Sequence, residues 1–252
     1  MAKMTAERYI KIYGERNSGT TYLRMLAQGN LQAAILPGVA PRRLRRLVRR
    51  NERMIDLYFQ LTFARNLGWK HRIAPGPQEL RRIAPPLQRI TFLVITKNPY
   101  AWLLSLFRHP YHYRDELTTF ERFLTGEWRT VGRENHPAPF ANPIAMWNAK
   151  HASYLRLAQT AACRFVRYED LLLAPEQTLA EISTARGIPR LSPAFVNVRE
   201  STKGEAGRDF EFYRRYYVEE RWREELDARA LEIINSFLDA AIVRALGYAM
   251  IS

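Results

Sequence analysis

Tyr9-Ile-Lys-Ile-Tyr-Gly-Glu-Arg-Asn-Ser-Gly-Thr-Thr-Tyr-Leu23 reads as a short strand of β-branched and aromatic residues, a tight turn and the first turn of a helix. Gly14 and Gly19 stand five apart, and Thr20 and Thr21 follow. That is the outline of a P-loop, in which backbone N–H groups at a helix N-terminus cradle phosphate. Thr20 sits where a nucleotide triphosphatase places its lysine. The shape points to an anionic ligand, and the missing lysine points away from ordinary ATP or GTP chemistry. Gly14 allows the sharp turn, Ser18 or Thr20 can cap the helix, and residues 21–28 form it before Gly29-Asn30 ends it.

Working outward from this loop, strands alternate with helices. Leu67–Ile73 is read as a short strand, and Arg89-Ile-Thr-Phe-Leu-Val-Ile-Thr96 is the clearest strand in the chain. It breaks at Lys97-Asn-Pro99 and hands over to a helix over 100–108. A Pro-rich loop over 132–143 precedes a helix from Ile144 to Leu157. Cys163–Tyr168 is a further strand, followed by a helix near 175–184 and a long final helix over about 223–246. The segment 199–213 reads as polar. The pattern implies an α/β fold, a P-loop NTPase-like three-layer sandwich with a mainly parallel central sheet flanked by helices. With no repeats or low-complexity linker, the 252 residues are read as a single domain.

Composition narrows the classes. A hydrophobic content of 47% with five tryptophans is ample for a packed core, which excludes wholesale disorder. The apolar runs, such as Gln32–Pro37, are far too short to span a bilayer. The first residues lack an apolar signal core and Cys163 is the single cysteine, so a reducing cytoplasm is the expected location. The net charge of +14 implies an acidic partner. Seven arginines fall within residues 41–53, and Arg42, Arg46, Arg49, Arg50 and Arg53 share one face if that stretch is a single helix. Such a face is either simply solvated or captures a polyanion or a membrane surface.

Two stations for an anion emerge. Residues 16–21, with Arg16 as an internal cation, suit a phosphate or phosphosulfate. Lys97 ends the strongest strand, and Ser105 follows eight residues later on the next helix, so the two can hold a second phosphate.

Asn17-Ser-Gly-Thr-Thr21, Lys97-Asn-Pro-Tyr-Ala-Trp-Leu-Leu-Ser105, Thr202-Lys-Gly204 and Val166-Arg-Tyr-Glu-Asp-Leu-Leu172 together resemble the motifs of the sulfotransferases that use 3′-phosphoadenosine 5′-phosphosulfate (PAPS). They occur in the family's order over residues 9 to about 204, so the resemblance covers most of the chain. It implies PAPS as co-substrate, with Arg16, Asn17, Ser18, Gly19, Thr20 and Thr21 around the 5′-phosphosulfate. Lys97, Ser105, Lys203 and Gly204 would lie around the 3′-phosphate. No metal is required by this scheme, and no metal-ligand cluster is apparent in the sequence.

The chain departs from the family at Asn17, where a lysine or arginine is usual, and at Lys97, where arginine is usual. Either Arg16 turns inward, or Lys70 reaches across to supply the missing cation, or the loop works with weaker charge support. Arginine keeps its charge and offers a planar fork of donors, so it can serve without lysine's geometry. His71 is the candidate general base, because imidazole titrates near neutrality and Trp69-Lys-His71 is similar to the family's Lys-x-His strand. Glu52 and Asp56 are the alternatives, and His109, His112, His136 and His151 are read as structural. Trp69 is a candidate to stack on adenine, whereas Tyr100, Trp102, Phe140 and Trp147 are assigned to core packing.

The expected partner is a hydroxyl-bearing acceptor, anionic or carbohydrate, such as a saccharide or glycolipid. Membrane-surface association is compatible with the arginine run, and no specific nucleic-acid motif accompanies it. Two other classes fit parts of the sequence: a P-loop kinase-like phosphotransferase and a non-catalytic polyanion-binding protein. The sequence names neither the acceptor nor an oligomeric state.

Overall fold

Four parallel strands lie in the order β2-β1-β3-β4 in the computed structural model, which describes residues 8–49, 51–111, 119–200 and 208–251. The strands are β1 (Tyr9–Tyr13), β2 (Ala34–Ile35), β3 (Ile90–Thr96) and β4 (Cys163–Arg167). Between and after them run helices α1 (Thr20–Asn30), α2 (Arg42–Leu47), α3 (Glu52–Asn66), α4 (Pro77–Leu80), α5 (Pro99–Arg108), α6 (Phe120–Thr125) and α7 (Pro143–Thr160). The chain continues with α8 (Tyr168–Leu173), α9 (Pro175–Arg186), α10 (Phe210–Val218), α11 (Ala228–Phe237) and α12 (Ala240–Ala245). This is the expected parallel α/β architecture. Every residue of β3 is buried, as a central parallel strand covered on both faces must be. Tyr9 pairs with Ile90 and Tyr13 with Val94, so β1 and β3 end side by side. The chain goes from β1 to β2 on one side and returns to β3 on the other, which makes the gap beyond β1 and β3 a topological switch point.

The period of two sorts the strand residues between two cores. Ile10, Ile12, Leu93 and Ile95 join the larger one with Leu23 and Leu26 of α1, Trp102 of α5 and Leu171 of α8. Tyr13, Phe92 and Val94 face the smaller one, with Tyr154 and Leu157 of α7. Lys11 belongs to that second face and is fully buried. Its ammonium donates to the carbonyls of Pro37 at 2.9 Å and of Asn66 and Gly68 at 2.5 Å. All three of its donors are thus used, and the ammonium ties two loops beneath the sheet.

Several local expectations are corrected. Leu67–Ile73 forms no strand, because Leu67 (φ 57°) and Gly68 (φ 77°) are successive left-handed residues that turn the chain. Single hydrogen bonds hold it instead, from Gly14 N–H to the Lys70 carbonyl and from Lys70 N–H to the Gly38 carbonyl. Neither Ser18 nor Thr20 caps α1; Gly19 holds the cap position, and the helix runs on to Asn30. The arginine-rich stretch is not one helix. α2 stops at Leu47, Arg49 is left-handed (φ 46°), and Asn51 caps α3 by accepting from Met54 N–H. The final helix is also broken, because the side chains of Asp227 and Asp239 each accept from backbone N–H groups and start a new helix. Phe210–Val218, within a stretch read partly as polar, is helical.

Candidate active site

The loop after β1 is built on a buried charge cluster. Glu15, Glu134 and Lys150 are all fully buried. Glu15 accepts from Arg16 N–H at 2.6 Å and from the Tyr111 hydroxyl at 2.7 Å, and it pairs with Lys150. Lys150 also meets Glu134 at 2.6 Å. Burial by itself would lower the Lys150 pKa, but the two carboxylates hold it above its ordinary value. Burial raises the Glu134 pKa.

Each following residue has its own constraint. The Arg16 carbonyl accepts from the Trp102 indole at 2.8 Å, and its guanidinium lies 3.9 Å from the Tyr111 ring centre and 4.9 Å from that of Trp69. Asn17 is left-handed (φ 63°), a conformation that asparagine tolerates better than most residues. Its amide donates to the carbonyls of His109 at 3.3 Å and Ser105 at 3.4 Å. Asparagine at this position therefore fastens the loop to the end of α5. Gly19 has φ 87°, and a Cβ there would come within 2.4 Å of the Tyr168 ring. Ser18 and Thr20 are both buried, and of the two only Thr20 reaches the cleft lined by this loop.

Lys70 and His71 are clamped to the same turn. The Lys70 carbonyl accepts from Gly14 N–H at 3.1 Å, and His71 Nδ1 lies 2.6 Å from the Gly14 carbonyl. A carbonyl only accepts, so Nδ1 carries the hydrogen and Nε2 keeps its lone pair. Burial drives the His71 pKa well below its ordinary value, and the charges of Lys70 and Arg16 push it the same way. The Lys70 ammonium donates to Thr21 Oγ1 at 3.2 Å. Its pKa is lowered to about 8, first by burial and then by Arg24 and Arg16.

The exit of β3 supplies the next cation. Lys97 is buried with its ammonium 3.8 Å from the Tyr217 ring centre and 4.5 Å from that of Tyr168. Burial lowers its pKa. Asn98 caps α5, and its N–H donates to Glu169, which also accepts from the Tyr248 hydroxyl. The Val166–Leu172 signature thereby ties the ends of β3 and β4 together.

Arg16, Asn17, Gly19, Thr20, Thr21, Lys70, His71 and Lys97 line one cleft of about 240 Å³. Phe210, Tyr213 and Tyr217 of α10, Tyr168 of α8 and Tyr22 of α1 line it as well, together with Leu172, Val198 and one carboxylate, Glu200. Sequence reasoning missed these aromatics. The signal was present, since residues 210, 213 and 217 share one helical face. Ser105 does not line this cleft. Its hydroxyl donates to the Ala101 carbonyl and lies 2.8 Å from the Tyr217 hydroxyl. It faces an adjoining cavity of about 200 Å³ with Arg108, His109 and Arg208, so Tyr217 stands between Lys97 and Ser105.

Other expectations find different places. Trp69 is buried at right angles to the His71 ring, has the Arg16 and Arg133 guanidinium groups 4.9 and 4.6 Å from its ring centre, and does not line the cleft where adenine would stack. Glu52 and Asp56 both pair with Arg133 and are not in the His71 cleft. His151 is a core residue whose pKa burial lowers to about 3, and His136 stacks on Phe140. Tyr100, Trp102, Phe140 and Trp147 are core residues as expected. Lys203, Gly204 and His112 lie outside the described residues. Among the described residues no group of three or more His, Cys, Asp and Glu side chains is arranged to hold a metal ion, and no helix is long and apolar enough to cross a membrane.

No protein-family model and no curated protein matches the chain. Among solved structures the fold is similar to the sulfotransferase domain from the Synechococcus PCC 7002 olefin synthase. The identity is 14% and the TM-score 0.48, over 92% of this chain and 94% of that one. Likeness at that level carries no argument about chemistry, which rests on the residues of the cleft.

Proposed function

We propose that this protein is a sulfotransferase that moves the sulfuryl group of PAPS to an acceptor hydroxyl, with a saccharide or a glycolipid as the candidate acceptor. One observation carries the reading: a single cleft gathers the loop at the N-terminus of α1, Lys70 and Lys97, and neither lysine makes an ion pair with a described residue. Burial lowers the pKa of both ammonium groups, that of Lys97 even though the Glu169 carboxylate acts the other way, and a ligand with two separated anionic groups offsets the cost of holding them out of water. The aromatic wall from α10 suits a nucleoside base. A kinase-like reading accounts for the loop but gives Lys97 no duty, and it lacks the bridging lysine at Thr20.

In this scheme Lys70 takes the place left by Asn17, and its ammonium meets the charge that develops as the sulfur–oxygen bond to the donor phosphate breaks. His71 Nε2 accepts the proton of the attacking hydroxyl as the new sulfur–oxygen bond forms. Arg16, stacked beside the loop, adds positive potential there. Lys97 holds the second anionic group.

Thermal unfolding with adenosine 3′,5′-bisphosphate, set against ATP with magnesium, tests the proposal, since a ligand that binds the native state raises its stability by mass action. The bisphosphate is expected to raise the midpoint more. Stabilisation by ATP–magnesium alone points to the kinase-like class. No response to either leaves a polyanion-binding role.

A further inference from the structure

We propose that the outward face of α2 and α3 is a docking surface for an anionic lipid bilayer. The two helices share one small core, in which Leu44 and Val48 pack with Ile55, Phe59 and Trp69. With the inner side of α3 occupied in this way, its outer side is expected to be polar. It is not. Met54, Leu57 and Leu61 follow at helical spacing and are 47%, 44% and 77% exposed. Leu47, at the end of α2, is 81% exposed. Single exposed apolar residues are ordinary, but a stripe of them beside an arginine cluster is not.

Arg42, Arg43, Arg45, Arg46, Arg49 and Arg53 are all exposed, as is Arg65 at the far end of α3. None of them makes an ion pair with a described residue. The two acids of α3, Glu52 and Asp56, both pair with Arg133 instead. The surface is therefore apolar and uncompensated positive at once. A soluble polyanion would engage the arginines and leave the leucines in water. An anionic bilayer takes both, with the leucines in the acyl boundary and the arginines among the headgroups. The inference does not depend on the proposed reaction.

The test is co-sedimentation of the full chain with vesicles of phosphatidylcholine alone, or of equal parts phosphatidylcholine and phosphatidylglycerol. Binding is expected to the anionic vesicles and not to the neutral ones. Arg45→Gln with Arg46→Gln is expected to weaken it by roughly fivefold per arginine. Leu57→Ser with Leu61→Ser is expected to weaken it by roughly tenfold or more, with the folded state checked by thermal unfolding. Absence of binding to the anionic vesicles overturns the proposal, and so does equal binding to neutral ones. Vesicle binding that matches heparin binding and ignores the leucine substitutions also overturns it, because the surface would then be a general polyanion site.

Discussion

His71 Nδ1 and the Gly14 carbonyl oxygen lie 2.6 Å apart, and the neighbouring Lys70 carbonyl accepts from Gly14 N–H. Two adjacent residues thus grip the turn that ends β1, and the bond to His71 fixes the tautomer with Nε2 as the basic atom. His71→Ala is expected to lower turnover at saturating PAPS by about 10²- to 10⁴-fold, a usual range for losing a general base, with little change in bisphosphate affinity. The folded pKa of His71 is far below its ordinary value. The base of the free enzyme therefore stays unprotonated as pH falls, and kcat/KM should hold down to about pH 6. A kcat/KM profile with an acid limb at the ordinary imidazole pKa contradicts this environment, and unchanged turnover in His71→Ala removes the residue from the role.

Lys70 gives two pH dependences of opposite sign. Its pKa falls from 10.5 in the unfolded chain to about 8 in the folded one. Between those values the unfolded chain binds more protons, so the stability of the ligand-free protein gains a contribution as pH rises from 8 towards 10.5 and loses it as pH falls through 8. Ligand binding runs the other way. An anion needs the charged ammonium, so bisphosphate affinity is expected to weaken as pH rises through 8. Calorimetric titration on either side of that pH checks the second sign, and Lys70→Met should remove the step near 8 while leaving the one near 7 that the depressed Lys97 contributes. A wild-type affinity with no step near 8 would assign the loop's charge to Arg16 instead.

The fold was legible because β1, β3 and β4 are β-rich segments bounded by Gly14, by Asn98-Pro99 and by the Tyr168-Glu-Asp170 turn, each a local signal. That Arg16, Lys70, His71 and Lys97 share one cleft was legible in part, because Arg16 and Lys97 follow the two clearest strands and Trp69-Lys-His71 is similar to a family motif. What failed was decided by tertiary partners. Leu67–Ile73 resembles a strand locally, yet its left-handed Leu67-Gly68 pair and its bonds to Gly14 and Gly38 make it a loop crossing the sheet's end. Asn17 looked like a defect in a charged position, and only the distant carbonyls of Ser105 and His109 show what it fastens. Lys11 and Lys150 gave no sign of burial, because their partners lie far away in sequence.

Tyr217 separates the roles of Lys97 and Ser105. Its ring lies under the Lys97 ammonium and its hydroxyl meets Ser105. Tyr217→Phe removes the hydroxyl contact alone, whereas Tyr217→Leu also removes the π face, worth about 1 kcal/mol at a partly desolvated site. The leucine variant is therefore expected to bind the bisphosphate about fivefold more weakly than the phenylalanine variant. Equal dissociation constants for the two would put the hydroxyl, and with it Ser105, in control of the second anion station.

Lys150 is the sole described cation paired to Glu15 and Glu134, and all three side chains are fully shielded from water. Lys150→Met leaves two carboxylates facing one buried site, and removing one partner of such a cluster costs about 3–5 kcal/mol. One carboxylate must then stay protonated, so its folded pKa rises above the unfolded value. A group shifted in that direction favours the folded state below its unfolded pKa and loses that contribution as pH rises through the folded one. The stability deficit of Lys150→Met is therefore expected to shrink as pH is lowered towards 5, within the stable range of most folds. Adding Glu134→Leu removes the carboxylate that has lost its partner, while Glu15 keeps Arg16 N–H and the Tyr111 hydroxyl. The double variant should recover much of the loss. Urea unfolding at two pH values measures both effects. A deficit that is the same at both, and that Glu134→Leu does not relieve, would mean that Lys150 acts through packing rather than through its charge.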